Sequence, residues 1–298
     1  MPMAEVNGVK LHYETAGDGT PLICIHPPLL TGEIFNYQKQ QLAPICRIIT
    51  FDVRGHGRSE PSSLKLDYTL ITKDIVALMD HLDLDQAYLC GYSTGGSVAM
   101  EAMLRYPDRF LGGILISSMS EMTDLYNIGR AWAASVFAKL KATKLLTAAI
   151  TWGNADTNRT FRELLRCAVV GDRLHLHQYF EACCQYHCTS RLRDIHVPVL
   201  LVYGEKDRSF HRYARILHQQ LPDSQLHYIP GAKHQIPTKN PDALTKLIRA
   251  WFAELLALHD SPQHNQTPVQ GRSTEAPVHP APLGVVYQED GKEVERSL

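Results

Sequence analysis

Ser93 stands in the pattern Gly91-Tyr92-Ser93-Thr94-Gly95, with the apolar run Ala87-Tyr88-Leu89-Cys90 before it and Val98, Ala99, Met100, Ala102 and Met103 after it. That is a strand running into a helix with a serine at the corner, the form of a nucleophile elbow. The turn must hold the serine at an unusual backbone angle, so a Cβ at Gly91 or Gly95 is expected to collide with neighbouring backbone. A serine hydroxyl is a poor nucleophile near neutral pH, and attack on a carbonyl requires a base to take its proton. His234 is the candidate base, and a carboxylate must in turn fix its tautomer and stabilise the imidazolium. Asp207 follows an apolar strand-like run and is the candidate acid, with Glu205 and Asp124 as other carboxylates open to the role. Taken singly, each residue also has a plain structural reading: a glycine-rich turn for Ser93, a helix cap for Asp207, a surface loop histidine for His234.

The 298-residue chain is long enough to bury a sizeable core in one large α/β domain or two small ones. Lys plus Arg is 30 and Asp plus Glu is 31, which leaves no global basic field to recruit nucleic acid or an anionic membrane. The first residues carry Glu5, Lys10, Glu14 and Asp18 with no long apolar run. Neither a signal peptide nor an N-terminal membrane span is therefore expected, and the expectation is a soluble, cytoplasmic protein. The seven cysteines are odd in number and irregularly spaced, and read as reduced thiols. Cys183, Cys184, His187 and Cys188, with His175 and His177 upstream, could supply metal ligands. Without paired CxxC motifs they read instead as a helix with small thiols on its buried side, and no metal site is expected.

The elements that must position these residues follow an alternating rhythm. Asn7-Gly8 predicts a hairpin at a sheet edge. Pro21 to Ile25 is an apolar run without alternation, as in a strand covered on both faces. A helix over Phe35 to Leu42 and a strand over Ile45 to Phe51 come next. Ile71, Ile75, Leu78, Met79 and Leu82 then give one buried helical face ahead of the Ser93 strand. Leu111 to Ser117, Val197 to Tyr203 and Gln225 to Ile229 read as further strands, and Pro241 to Leu258 as a closing helix. The order predicts a mostly parallel sheet with right-handed crossovers. Between about 119 and 190 the rhythm gives way to a largely helical stretch, and beyond Asp260 to Pro, Gln, His, Ser and Thr without apolar periodicity.

Asp52-Val53-Arg54-Gly55-His56-Gly57-Arg58-Ser59 comes directly after the strand ending at Phe51. Together with the Ser93 turn, this DxRGHGxS octet resembles the α/β-hydrolase superfamily, and the resemblance covers most of residues 1–259. It implies an α/β fold whose mostly parallel central sheet carries helices on both faces. The core would span 1–118 and 191–259, with a helical cap inserted at 119–190 and a disordered tail at 260–298. The order Ser93, Asp207, His234 matches that of the family. Serine at the nucleophile position separates the chain from family members that use aspartate, the haloalkane dehalogenases and epoxide hydrolases. His56 reads as a loop histidine in a glycine-shaped turn.

In such enzymes one oxyanion donor is the backbone N–H after the nucleophile, here Thr94, and the other comes from the loop after an early strand. That loop commonly reads His-Gly-x; here it reads His26-Pro27-Pro28, and proline has no N–H to donate. Two arrangements are open: Leu29 supplies the donor from a shifted loop, or the hole has one backbone donor. Trp132, Phe137, Trp152 and Tyr179 of the cap are candidates to line a substrate pocket. The reading that results is a cofactor-independent serine hydrolase acting on a small-molecule substrate, a small or medium carboxylic ester, with lactone or thioester as variants. No metal, nucleic-acid or membrane partner is expected. Its rivals are a ligand-binding sensor with slow turnover, favoured by Pro27-Pro28, and a cofactor-free lyase or oxygenase using the same residues for proton abstraction.

Overall fold

Asn7 and Gly8 adopt φ values of 46° and 75°, the positive pair that a two-residue hairpin turn requires, and join β1 (Met3–Val6) to β2 (Val9–Ala16) in antiparallel register. The computed structural model describes residues 2–139 and 143–259. The remaining strands are β3 (Pro21–Ile25), β4 (Arg47–Phe51), β5 (Ala87–Tyr92), β6 (Phe110–Ile116), β7 (Val199–Gly204) and β8 (Ser224–Ile229). Among the described residues they form one eight-stranded sheet in the order β1-β2-β4-β3-β5-β6-β7-β8. β2 meets β4 antiparallel, and every pairing from β4 to β8 is parallel. The carboxyl ends of six strands therefore share one edge, where ligand sites of open α/β sheets form.

The apolar strand runs are explained by helices on both faces. Ile23, Ile25 and Leu89 pack with Ile71, Ile75 and Leu78 of α2 (Tyr68–His81, after α1, Asn36–Leu42) and with Val98 of α3 (Thr94–Arg105). The alternate residues Leu22, Cys24, Tyr88 and Cys90 face Leu42, Leu244, Ile248 and Trp251 on the other side. Full burial of such side chains is worth about 1.5–3 kcal/mol each. Two boundaries differ from the sequence reading. The N–H groups of Ile45 and Cys46 donate to the Leu42 carbonyl at 2.9 and 3.1 Å, closing α1, so β4 starts at Arg47. The preceding helix opens as a 3-10 turn at Gly32–Phe35, capped by Thr31.

Between β6 and β7 lie α4 (Leu125–Lys139), α5 (Thr143–Asn154), α6 (Asn158–Ala168), α7 (Arg173–Gln185) and a 3-10 turn at Thr189–Asp194. Thr157 and Asp172 cap α6 and α7 by accepting from Thr160 and His175 backbone N–H groups. α7 is tied to the loop after β4: the Asp172 N–H donates to the Gly55 carbonyl at 2.7 Å, and the Ser62 N–H donates to His175 Nε2 at 3.2 Å. α8 (His211–Gln220), α9 (Ile236–Lys239) and α10 (Pro241–His259) complete the order. Residues through Ala257 make one compact unit and a second begins at Leu258. The tail expected at 260–298 lies outside the described residues. Among the described residues no helix is long and apolar enough to cross a membrane.

Candidate active site

Ser93 sits between β5 and α3 with φ 53° and ψ −120°, a conformation that costs a non-glycine residue about 1–3 kcal/mol. Its surroundings impose that geometry. The Ser93 N–H donates to the Ile116 carbonyl at 2.8 Å, and the Gly96 N–H donates back to the Ser93 carbonyl at 3.0 Å. A Cβ on Gly91 would run into the Gly96 backbone, and one on Gly95 into the Ile25 carbonyl of β3. The glycines of the motif let the turn close and let α3 abut the end of β3.

His234 lies beyond the end of β8, and its Nε2 is 3.1 Å from Ser93 Oγ while its Nδ1 is 2.8 Å from Asp207 Oδ2. An ionised carboxylate can only accept, so the proton sits on Nδ1 and Nε2 is free to accept from the serine hydroxyl. Asp207 is held in the turn after β7, its N–H donating to the Gly204 carbonyl at 3.0 Å and its Oδ1 accepting from Ser209 Oγ at 3.3 Å. The imidazole is packed by Phe210 and Tyr92, with ring centroids 4.3 and 5.5 Å away. The two other carboxylates left open by the sequence are engaged elsewhere. Glu205 accepts from the Gly231 N–H at 2.7 Å, and Asp124 accepts from Tyr213 and from both nitrogens of Asn127.

The loop after β3 turns on Leu29, whose φ of 62° is uncommon for a leucine and whose side chain is fully buried against Leu176 and Phe180. Among the described residues neither the Leu29 nor the Thr94 N–H is taken by another group. Leu29 carries the first N–H after the prolines that is free to serve an oxyanion. His26 is neutral and structural: Nε2 accepts from the Val53 N–H at 2.9 Å, Nδ1 donates to the Pro27 carbonyl at 2.9 Å, and burial holds its pKa below the ordinary value. Asp52 of the DxRGHGxS octet accepts from the N–H groups of Gly32 at 2.9 Å and Arg58 at 3.0 Å, bracing the same loop. His56 donates to the Arg54 carbonyl at 3.2 Å, and burial pulls its pKa down to about 3.

A cavity of about 370 Å³ opens at Ser93 and His234, walled by Met119, Phe137, Phe180 and Phe210. Of the four cap residues expected to line it, Phe137 does. Trp132 and Trp152 do not: they are 65 % and 61 % exposed, and Trp152 stacks edge-on against Phe161 at 5.2 Å. Tyr179 is fully buried behind the wall, where its hydroxyl donates to the His26 carbonyl at 3.0 Å. Phe180 and Phe210, not chosen as pocket residues from the sequence, take the places of the tryptophans; Phe210 was signalled only by lying three residues past Asp207. The seven cysteines are free, and burial pushes the Cys183 thiol up to about 12. Among the described residues no three His, Cys, Asp or Glu side chains converge as a metal site.

The chain matches the model of the alpha/beta hydrolase family over residues 22–247. It is 26 % identical to the human serine hydrolase BPHL over 264 residues, covering 81 % of this chain and 82 % of that protein. Among solved structures, an esterase from Exiguobacterium antarcticum superposes with a TM-score of 0.76 at 21 % identity, over 84 % of this chain and 98 % of that one. The enol-lactonase of Burkholderia xenovorans LB400 gives 0.74 at 23 % identity, over 85 % and 100 %. With the matched segment running from β3 into α10 and the strand order described above, the chain belongs to the alpha/beta hydrolase family.

Proposed function

We propose that this protein is a cofactor-independent serine hydrolase acting on a small or medium carboxylic ester, with lactones and thioesters as variants. The observation that carries the reading is the unbroken line of hydrogen bonds from Asp207 through His234 to Ser93, opening onto a largely apolar cavity. In this mechanism His234 takes the proton as Ser93 Oγ attacks the carbonyl, and the oxyanion is met by the N–H groups of Thr94 and Leu29. The imidazolium, steadied by Asp207, protonates the departing alcohol, and the same ring then activates water to release the acid from the acyl-enzyme. Nucleophile, base and orienting acid are all side chains, so the chemistry calls for no metal or organic cofactor. A cavity of about 370 Å³ is near the small end of ligand sites and suits a short or medium acyl group.

The test is labelling of the purified protein with a fluorophosphonate, with Ser93→Ala as control, and then a series of esters of increasing acyl length. Labelling that depends on Ser93 is expected; a folded protein that does not label would remove the reading. One observation favours a second reading, a binding protein of slow turnover: Pro27 and Pro28 occupy the loop where a donor is needed. Pro28→Ala separates the two. With Leu29 as the donor, kcat changes little, whereas a gain on the order of 100-fold would mean that the wild-type hole lacks one.

A further inference from the structure

Among the described residues that line the Ser93 cavity, Arg130 alone carries a formal charge; beside Ser93 and His234, the other walls are Met, Ala, Leu, Ile, Phe, Cys, Thr and Asn side chains. It has no carboxylate partner among the described residues. The nearest acid along its helix, Asp124, is occupied by Tyr213 and Asn127. The guanidinium lies over the Tyr126 ring, 5.4 Å from its centroid. Stacking engages the face of a guanidinium and leaves its N–H edge free, and that edge is the part that grips a carboxylate in bidentate fashion. Arg130 is exposed at the mouth of the cavity, and its charge is felt within it. Burial and Asp207 both push the Tyr92 phenol up, and the field of Arg130 opposes them at that fully buried group, which flanks His234. Asn127, three residues earlier on the same helix, lines the cavity beside it, locked to Asp124 through its backbone N–H at 2.8 Å and its amide at 2.9 Å. α4 thus presents Asn127 and the cationic Arg130 to a cavity whose walls away from Ser93, Thr94 and His234 are apolar among the described residues.

We infer that Arg130 selects substrates bearing a carboxylate at the end remote from the reacting ester, so that the substrate class is an anionic ester or lactone of a short chain. This rests on the serine-hydrolase reading of the same site. The apolar walls would take the linking methylenes, and Arg130 would neutralise an anion that these walls alone would have to desolvate unpaired. The apolar cavity and the cation together disfavour a substrate with a cationic remote end.

The experiment uses two matched ester pairs, with hydrolysis measured as acid release. Each pair sets an ester carrying a carboxylate against the neutral ester in which an isopropyl group replaces it, on the acyl chain in one pair and on the alcohol in the other. In the wild-type protein at low salt, the charged member of one pair is expected to have the higher kcat/KM, by about 10-fold for a charge-assisted contact at a partly exposed site. Arg130→Gln should lower that charged-to-neutral ratio about 10-fold, mainly through KM, and Arg130→Lys should recover part of it. A ratio near one in the wild type, or one that Arg130→Gln leaves unchanged, overturns the inference. If the neutral esters are cleaved and Ser93 labels with fluorophosphonate, such a failure concerns Arg130 alone. If no ester is cleaved and Ser93 does not label, the serine-hydrolase reading falls and takes this inference with it.

Discussion

The Tyr179 hydroxyl of α7 donates to the carbonyl of His26, 3.0 Å away and 153 positions earlier in the chain, and so fastens a helix of the β6–β7 insertion to the loop that carries Leu29. Tyr179→Phe removes the donor and leaves a buried carbonyl unpaired, at a cost of about 1–3 kcal/mol. Because His26 precedes Leu29, the proposed oxyanion donor, by three residues, kcat is expected to fall with it. Chemical denaturation alongside steady-state kinetics checks this; an unchanged kcat in a destabilised variant would uncouple the helix from the proposed role of the Leu29 loop.

Ser93→Ala is expected to abolish turnover while the protein stays folded. Ser93→Gly should be equally inactive yet more stable than the alanine variant by about 1 kcal/mol, since glycine adopts a positive φ without strain. Thermal unfolding of the two variants side by side measures the difference. Equal stabilities would show that the Ser93 backbone carries no strain.

Asp207→Asn keeps the shape of the acid but offers an amide to His234 Nδ1, so the ring is held in the wrong tautomer; kcat should fall by about 10⁴-fold. A rate close to wild type would return the orienting role to Glu205 or Asp124.

The buried His56 makes stability depend on pH. Its folded pKa, about 3, lies below the ordinary value of 6.5 because burial disfavours the charged ring. Between those values the unfolded chain binds the proton and the native protein does not, so stability falls as the pH drops from 6.5 toward 3, by about 1.4 kcal/mol per pH unit from this group. Above pH 6.5 its contribution is constant. His56→Asn keeps an N–H for the Arg54 carbonyl and should flatten the slope of melting temperature against pH over this range. A slope identical to wild type would assign the acid sensitivity to other groups, with buried His26 the next candidate.

The chain by itself determined the features that rest on local pattern. Apolar runs without alternation mark strands covered on both faces, and the spacing of Ile71, Ile75 and Leu78 marks the side of α2 that meets them. Gly91-x-Ser93-x-Gly95 marks a turn that only residues without Cβ can close, a steric constraint written within five positions. The candidates Ser93, Asp207 and His234 were legible because each lies just past the end of a strand, and parallel strands bring their C-terminal loops to one edge of the sheet. The features that only the tertiary structure decided depend on contacts between distant segments. Asp207, Glu205 and Asp124 are alike in sequence, and the direction of the β7 turn leaves Asp207 facing His234. Trp132, Trp152 and Phe180 are alike as aromatics, and the packing of the β6–β7 helices over the sheet edge turned the tryptophans outward and Phe180 into the cavity, while the turn after β7 brought Phe210 there. Leu29 combines a positive φ with a side chain buried against α7, more than 140 residues away, a contact no local pattern announces. Periodicity identifies the apolar face of a helix or strand, whereas the partner of that face is set by how the whole chain packs.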